Sequence, residues 1–495
     1  MVVGLSLGTR TAGVVQEVAW SARAQVEERE RERETPLRSA LFNSGLPACI
    51  LFFLLRLPAP PDTAARRAPR AAPTHTTPWH ARAPPHHHPP MPLPHHQIHV
   101  LEPYTPPPWT AAWTGPRPPA RYRLGALPTP VHRWRLPQVA GLLDLWVKRD
   151  DMSGSTLSGN KVRKLEFLFA DALLGGGGGG EDPQNNQGGR PRPTIITVGG
   201  IQSNHARATA AAAAEAGLEC HLILRAGEAV AGAADPGLAG NLLVDRLAGA
   251  HLHLVTKAEY AAVGGPGLTA RLAARLVAER GTAACRPYII PVGGSNAVGA
   301  WGYVQAVAEL EAGVPPDEAS SGGGGGNGAP PAPPVPWDDI VVACGSGGTV
   351  AGLAAGLSAA GLPARLHACG VCDDPAYFEA AVREEHLVPM GVPQAVAVAA
   401  SVHYLQAKGA GYAISRPDEV ATCAAAAVGT GILCDGTYVG KALHAFLGRV
   451  AADPGVWAGR RVLFLHTGGL LSMGAQTGGL EGVARALGRV ERMVV

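Results

Sequence analysis

A charge excess is missing from this sequence. Its 495 residues carry 42 Lys and Arg against 39 Asp and Glu, a formal net charge of +3 at pH 7. Nothing in that balance draws nucleic acid or an anionic membrane, so neither is expected as a partner. A membrane-length apolar run is missing too. The run Ala48–Leu55 falls far short of the ~20 residues that a spanning helix needs. Cysteine is sparse: eight residues lie scattered between Cys49 and Cys434, several inside apolar runs. That excludes a dense disulfide framework and fits a reducing compartment. Cys369 and Cys372 spell C-x-x-C, but no second pair completes a zinc site. Cys369 closes an apolar strand, and nothing marks an activated thiol. No metal is expected.

The first 120 residues differ from the rest. From Leu57 to Ala120 the chain is rich in Pro, Arg and His, and its only acids are Asp62 and Glu102. Such a stretch buries too little apolar area to offset its ordering entropy. Residues 1–120 therefore read as a low-complexity, largely disordered extension. The histidine tract from His86 to His96 reads as solvated rather than as a metal site. Residues 57–120 are Arg-rich and acid-poor, as transit peptides are, whereas Glu17–Glu34 is not. Import into a mitochondrion or chloroplast is the expectation if the extension is a transit peptide, and a cytoplasmic location otherwise.

From about Arg121 the pattern becomes regular. Apolar, β-branched runs at Leu143–Lys148, Thr194–Val198, His221–Leu224, His251–Val255, Tyr288–Val292, Ile340–Cys344, Arg365–Val371 and Val462–His466 alternate with helical stretches. Val162–Leu174 carries Leu165, Leu168, Phe169, Ala172 and Leu173 at helical spacing. Alternation of this kind predicts an α/β fold with parallel sheets covered by helices. Roughly 375 residues exceed one ordinary core, so two domains are expected. Gly-rich and Pro-rich stretches at 175–190 and 319–336 read as surface insertions.

Polar or glycine turns follow most of these strands, where ligands of such folds bind. Cys344-Gly345-Ser346-Gly347-Gly348-Thr349 opens a helix and suits a phosphate. It lacks the P-loop lysine and the third glycine of G-x-G-x-x-G, so ATP and NAD are poorly supported. Ser158-Gly159-Asn160-Lys161-Val162-Arg163-Lys164 places two lysines at a helix start. Burial and the helix dipole would lower the pKa of such an amine and make it reactive. From the residues alone, a solvated basic helix start is the preferred reading. In Gly199-Gly200-Ile201-Gln202-Ser203-Asn204-His205, Ser203 or Asn204 caps a helix or faces a ligand. His205 could be a base, and a helix-surface histidine is the safer reading. Gly293-Gly294-Ser295-Asn296, His466-Thr467-Gly468-Gly469 and Asp435-Gly436-Thr437-Tyr438-Val439-Gly440-Lys441 complete the set.

In order and spacing, these motifs resemble the D-cysteine desulfhydrase and 1-aminocyclopropane-1-carboxylate (ACC) deaminase family, from about Leu124 to Leu471. The resemblance implies pyridoxal 5'-phosphate (PLP) as cofactor and fold type II, which is similar to the tryptophan synthase β chain. It implies a small domain near 161–286, a large domain of 121–160 plus 287–495, and a homodimer. By motif position, Lys161 would bind the cofactor covalently. Asn204 would bond its 3-hydroxyl, and Gly345, Ser346, Gly347, Gly348 and Thr349 would hold its phosphate. Thr467 would sit near the pyridine nitrogen. Lys161, Ser203 and Tyr438 would be catalytic, with Lys161 the leading base.

Within the family, ACC deaminases typically carry Glu after the tyrosine and Leu in the His-Leu-Gly-Gly turn. This chain has Val439 and Thr467. Without a carboxylate to keep the ring nitrogen protonated, the ring is a weaker electron sink. Thiolate, a good leaving group, needs less help than the opening of a cyclopropane. The expected activity is therefore D-amino acid catabolism, with D-cysteine giving pyruvate, hydrogen sulfide and ammonia. ACC deaminase and an inactive PLP-binding protein are the alternatives. One departure stands out: the usual Asp-Pro-Val-Tyr is Asp435-Gly436-Thr437-Tyr438 here. Gly in place of Pro is expected to loosen the turn that carries Tyr438.

Overall fold

The computed structural model describes residues 100–176, 191–312, 337–474, 480–487 and 493. The strands are β1 (Leu101–Pro103), β2 (Ala120–Tyr122), β3 (Val131–Arg133), β4 (Asp144–Lys148), β5 (Pro193–Gly200), β6 (Cys220–Ala226), β7 (His251–Thr256), β8 (Arg286–Ile290), β9 (Asp339–Cys344), β10 (Arg365–Gly370), β11 (His403–Gln406) and β12 (Arg461–Leu465). The helices that matter below are α1 (Lys161–Leu174), α2 (Asn204–Glu215), α3 (Asn241–Leu247), α4 (Lys257–Arg280), α5 (Ala297–Glu311), α6 (Gly348–Ala359) and α7 (Val439–Ala452).

Two parallel sheets organise the chain, as the alternating pattern predicts. The larger runs β11-β10-β9-β12-β4-β3 and is parallel except for the edge strand β3. The smaller runs β7-β6-β5-β8 and is parallel throughout. Apolar clusters cover both sheets, which explains why their strands read as near-continuous apolar runs. β8 completes the smaller sheet, so the segment carrying it reaches Ile290, a few residues past the expected boundary at 286.

The folded region begins earlier than composition suggested. Residues 100–120 of the expected disordered extension are folded: β1 and β2 pair antiparallel, and Thr110 and Trp113 are buried. The Trp113 ring packs 5.2 Å from Trp301, and Tyr104 stacks edge-on to Phe167 at 4.8 Å. A few aromatics supply the burial that the prolines around them do not. The rest of the expected extension, residues 1–99, and almost all of the two insertions lie outside the described residues.

α1 leaves the larger sheet and α5 returns to it. Where α5 meets α1 and α6, the packing leaves no room for a side chain: a Cβ on Gly302 would strike the backbone of Arg163, and one on Gly352 the carbonyl of Ala300. A buried ion network fixes the first turn of α1. Arg163 donates to Asp150 (2.9 Å) and to Glu309 (2.8 Å), and Lys148 donates to Glu309 (2.8 Å). Tyr303 donates to Asp150 at 2.6 Å. Burial alone raises the Asp150 pKa, but Arg163 and Lys148 hold it down to about 2. Its contribution to stability is therefore complete above about pH 4 and fades as pH falls toward 2. Arg163→Ala would leave fully buried Asp150 without the guanidinium that pairs with it, and Glu309 with Lys148 alone. It is expected to cost about 3–5 kcal/mol, read as a lower urea midpoint. A loss below ~1 kcal/mol would contradict this account of the network.

Candidate active site

One cavity of about 420 Å³ gathers the turns that follow the strands. Lys161, Ser203, Asn204, Gly345, Ser346, Gly347, Thr349, Tyr438 and Thr467 all line it. Gly348 does not, although it belongs to the same loop.

Lys161 is the first residue of α1. The turn before it is tied to the end of β12: Asn160 N–H donates to the Thr467 carbonyl (3.1 Å), and the Asn160 amide donates to Thr349 Oγ1 (3.2 Å). The Lys161 amine lies 3.4 Å from the Gly293 carbonyl. Burial lowers its pKa to about 8, against a small opposing effect of Cys344. The solvated helix start preferred from the residues alone is thus not what the structure shows. Lys164, one turn on, is fully buried and donates to Ser295 Oγ (2.9 Å) and to the Gly293 carbonyl (3.3 Å). Burial, and then the charge of Lys161, push its pKa well down. Among the described residues neither amine has a carboxylate partner.

The loop Gly345–Gly348 faces these amines. Gly347 adopts φ +77°, and a Cβ there would stand 3.2 Å from His386 Nε2. A Cβ on Gly348 would meet Ser295 Oγ at 2.8 Å and Lys164 Nζ at 3.0 Å. Ser346 Oγ shares a 2.7 Å hydrogen bond with Ser295 Oγ. α6 starts here with no side-chain cap, so its first turn offers N–H groups. Two buried amines without a counter-ion, a helix start and a bare glycine turn together make a cradle for one anion. The residues present fit a phosphate.

Opposite this cradle, Ser203 Oγ accepts from Ala206 N–H (3.1 Å) and so caps α2 while lining the cavity. The Asn204 carbonyl oxygen accepts from Asn241 of α3 at 2.9 Å. Its amide nitrogen is the group left to donate. His205 is buried, not on the helix surface as expected: α2 is covered along almost its whole length. Its Nε2 meets Thr197 Oγ1 at 2.8 Å. Burial, with Lys161 and Lys164 nearby, holds it neutral.

Tyr438 shares a 2.7 Å hydrogen bond with Tyr412. Burial, then Tyr412, raise its pKa well above the ordinary value, so the phenol stays protonated. The turn carrying it is braced rather than loose. Buried Asp435 accepts from the backbone N–H of Thr437 (3.0 Å), Tyr438 (2.9 Å) and Val439 (2.9 Å). Ser415 Oγ donates to the Gly436 carbonyl at 2.9 Å and would stand 2.6 Å from a Cβ at that position. The glycine thus accommodates Ser415. Tyr412, His386 and Arg225 also reach this region, and no local sequence pattern marked them.

The comparisons with known proteins agree with this geometry. Residues 122–468 match the family described as pyridoxal-phosphate dependent enzyme. The chain belongs to this family. The bifunctional D-cysteine desulfhydrase/1-aminocyclopropane-1-carboxylate deaminase, mitochondrial, of Arabidopsis thaliana is 43% identical over 75% of this chain and 83% of its own. The D-cysteine desulfhydrase of Yersinia pseudotuberculosis is 33% identical over 66% of this chain and 86% of its own. Among solved structures, an ACC deaminase homologue aligns with TM-score 0.53 and 27% identity, covering 76% of this chain and 98% of the other. The chain is thus a PLP-dependent enzyme of the D-cysteine desulfhydrase and ACC deaminase family, with fold type II architecture. Among the described residues, no helix is long and apolar enough to cross a membrane.

Proposed function

We propose that the chain is a D-cysteine desulfhydrase, converting D-cysteine and water to pyruvate, hydrogen sulfide and ammonia. The observation that carries the reading is the pair of buried, counter-ion-free amines of Lys161 and Lys164 beside the glycine turn. In this reading the loop Gly345–Thr349 and Lys164 hold the cofactor phosphate. Lys161 binds the aldehyde carbon, the Asn204 amide meets the ring hydroxyl, and Thr467 faces the ring nitrogen. When bound, PLP supplies an electron sink for charge developing at Cα.

The remaining chemistry falls to the side chains. Nζ of Lys161 takes the Cα proton, and a pKa near 8 leaves part of the amine free at neutral pH. The Tyr438 hydroxyl, kept protonated by burial, offers a proton to the departing sulfur. Ser203 and the start of α2 orient the substrate carboxylate. Asp373 is the only carboxylate lining the cavity among the described residues, and Val439 is packed in the core. The chain thus has no carboxylate at 439 to strengthen the sink, which favours a substrate with a good leaving group. The name of the Arabidopsis relative favours a second reading, in which ACC is also turned over. It also supports mitochondrial import of this chain. A homodimer belongs to the same proposal.

Purified full-length protein given D-cysteine should release equal amounts of sulfide and pyruvate. ACC should yield 2-oxobutyrate at a lower rate. A coloured protein that turns over neither would leave an inactive PLP-binding protein and sink the proposal. pH gives an independent check. Only the unprotonated amine captures the aldehyde, so the rate of covalent PLP uptake by apoprotein should climb as pH rises through about 8. A rate flat from pH 6.5 to 9 would contradict the lowered Lys161 pKa.

A further inference from the structure

The parallel register of the smaller sheet aligns His221 of β6 with His251 of β7, and Ile223 with His253. All three histidines therefore share one sheet face. Their rings stack: His221 lies 4.6 Å from His251 at 13°, and 5.2 Å from His253 at 15°. Glu219 precedes β6 and reaches the same point. Its Oε1 stands 3.0 Å from His221 Nε2 and 3.5 Å from His251 Nε2. The three ligand atoms lie within 4.8 Å of one another.

We propose that Glu219, His221 and His251 form a binding site for a borderline divalent cation, of the class of Zn2+ or Co2+. Ligands about 2.0–2.1 Å from a tetrahedral ion stand roughly 3.3–3.4 Å apart, and the two separations from Glu219 bracket that spacing. Two imidazoles with one carboxylate select such ions over Mg2+ and Ca2+, which take oxygen ligands. His251 is 56% exposed, so a fourth position opens to water.

The surroundings supply the outer support that metal-binding histidines need. His221 Nδ1 meets His253 Nε2 at 2.9 Å, and His253 Nδ1 meets Arg275 at 3.3 Å. With the ion bound, the His221 proton sits on Nδ1 and is donated to His253. His253 then carries its own proton on Nδ1, and Arg275 turns outward. Both imidazoles change tautomer and neither loses a proton. Arg280 donates to both Glu219 oxygens (2.8 and 2.7 Å). It would keep one of them, and partly exposed pairs of this kind are worth little.

Along β6, His221 lies four residues from Arg225, which lines the cofactor cavity, or about 13 Å in a strand. The site is thus separate from the catalytic chemistry. β7 is an edge strand, and the ion would staple it to β6.

Co2+ tests this on full-length, PLP-loaded protein, by equilibrium dialysis and visible difference spectra. The expected result is one tightly bound equivalent with the intense bands of tetrahedral Co2+, displaced by Zn2+. Because the tract at 86–96 also holds histidines, a His86→Ala/His87→Ala/His88→Ala variant is run in parallel and should keep both signals. His251→Ala should weaken binding more than tenfold, and His253→Ala by about 10- to 100-fold. Both variants should keep the cofactor colour, which reports an intact fold. His251→Gln replaces His251→Ala if the latter loses colour. Three results would overturn the assignment: no uptake of Co2+, a tetrahedral spectrum unchanged by His251→Ala, or its loss in the tract variant.

Discussion

Lys161→Ala should lose both the visible colour of the bound cofactor and the release of sulfide. The amine starts α1, is desolvated by its surroundings although the residue is only partly buried, and stands 3.4 Å from the Gly293 carbonyl with no carboxylate nearby among the described residues. Among the described residues, no other lysine lines the cavity. Lys164 lies one turn further on, and burial, then the charge of Lys161, push its pKa well down. It is committed to Ser295 and Gly293 at the loop that would hold the phosphate. Covalent attachment and base catalysis therefore fail together, and kcat should drop by about 10⁴-fold or more. PLP should still bind without the covalent link, because the phosphate loop is untouched, so the variant should take up the cofactor at reduced affinity. Its fold should survive, since the alanine removes a desolvated amine that makes only one long contact. Turnover of D-cysteine at more than a hundredth of the wild-type rate would show that the base is elsewhere.

Much of the arrangement could be read from the chain because strand, glycine turn and helix start are adjacent in sequence. The run Ile340–Cys344 followed by Gly345–Thr349 marks its own place at a strand end, and so do Ser203 and Asn204 after β5. Contacts made across long separations leave no such trace. Tyr412 and His386 come from segments whose local pattern is ordinary, and only the folded sheet brings them to Tyr438 and Ser346. The state of the two lysines was hidden for the same reason. A Lys-x-x-Lys helix start looks solvated until α5 and the loop at Gly293 cover it. Burial also misled the reading of His205, because a helix rich in alanine has no polar face to signal exposure. At the N-terminal side, averaging over residues 57–120 buried the signal of Tyr104, Trp109 and Trp113 under prolines. Tyr104 and Trp113 pack on Phe167 and Trp301, far along the chain, and Trp109 packs on Trp113.

Lys164→Met should move apoprotein and PLP-loaded enzyme in opposite directions. In the absence of cofactor, Lys164 is a fully buried amine whose nearest charge is another amine. Methionine has similar length and no charge to desolvate, so the apoprotein should unfold at a higher urea concentration than wild type. Ser295 keeps its bond to Ser346, so little else is stranded. When the cofactor binds, the balance reverses. A phosphate in the Gly345–Thr349 loop would lie beside the Lys164 amine, because the space at Gly348 is only 3.0 Å from Nζ. A hydrogen bond to a charged group is worth about 1.5–3 kcal/mol. Its loss should raise the Kd for PLP by roughly 10- to 100-fold, measured by titrating apoprotein with the cofactor. The saturated variant should turn over D-cysteine at near the wild-type rate, since Lys161 and Tyr438 are unaltered. That separates a phosphate-holding lysine from a catalytic one. If Lys164→Met bound PLP as tightly as wild type while losing turnover, the two lysines would have to exchange roles. If it destabilised apoprotein and loaded enzyme alike, Lys164 would be a packing residue, and the anion cradle would rest on the glycine turn alone.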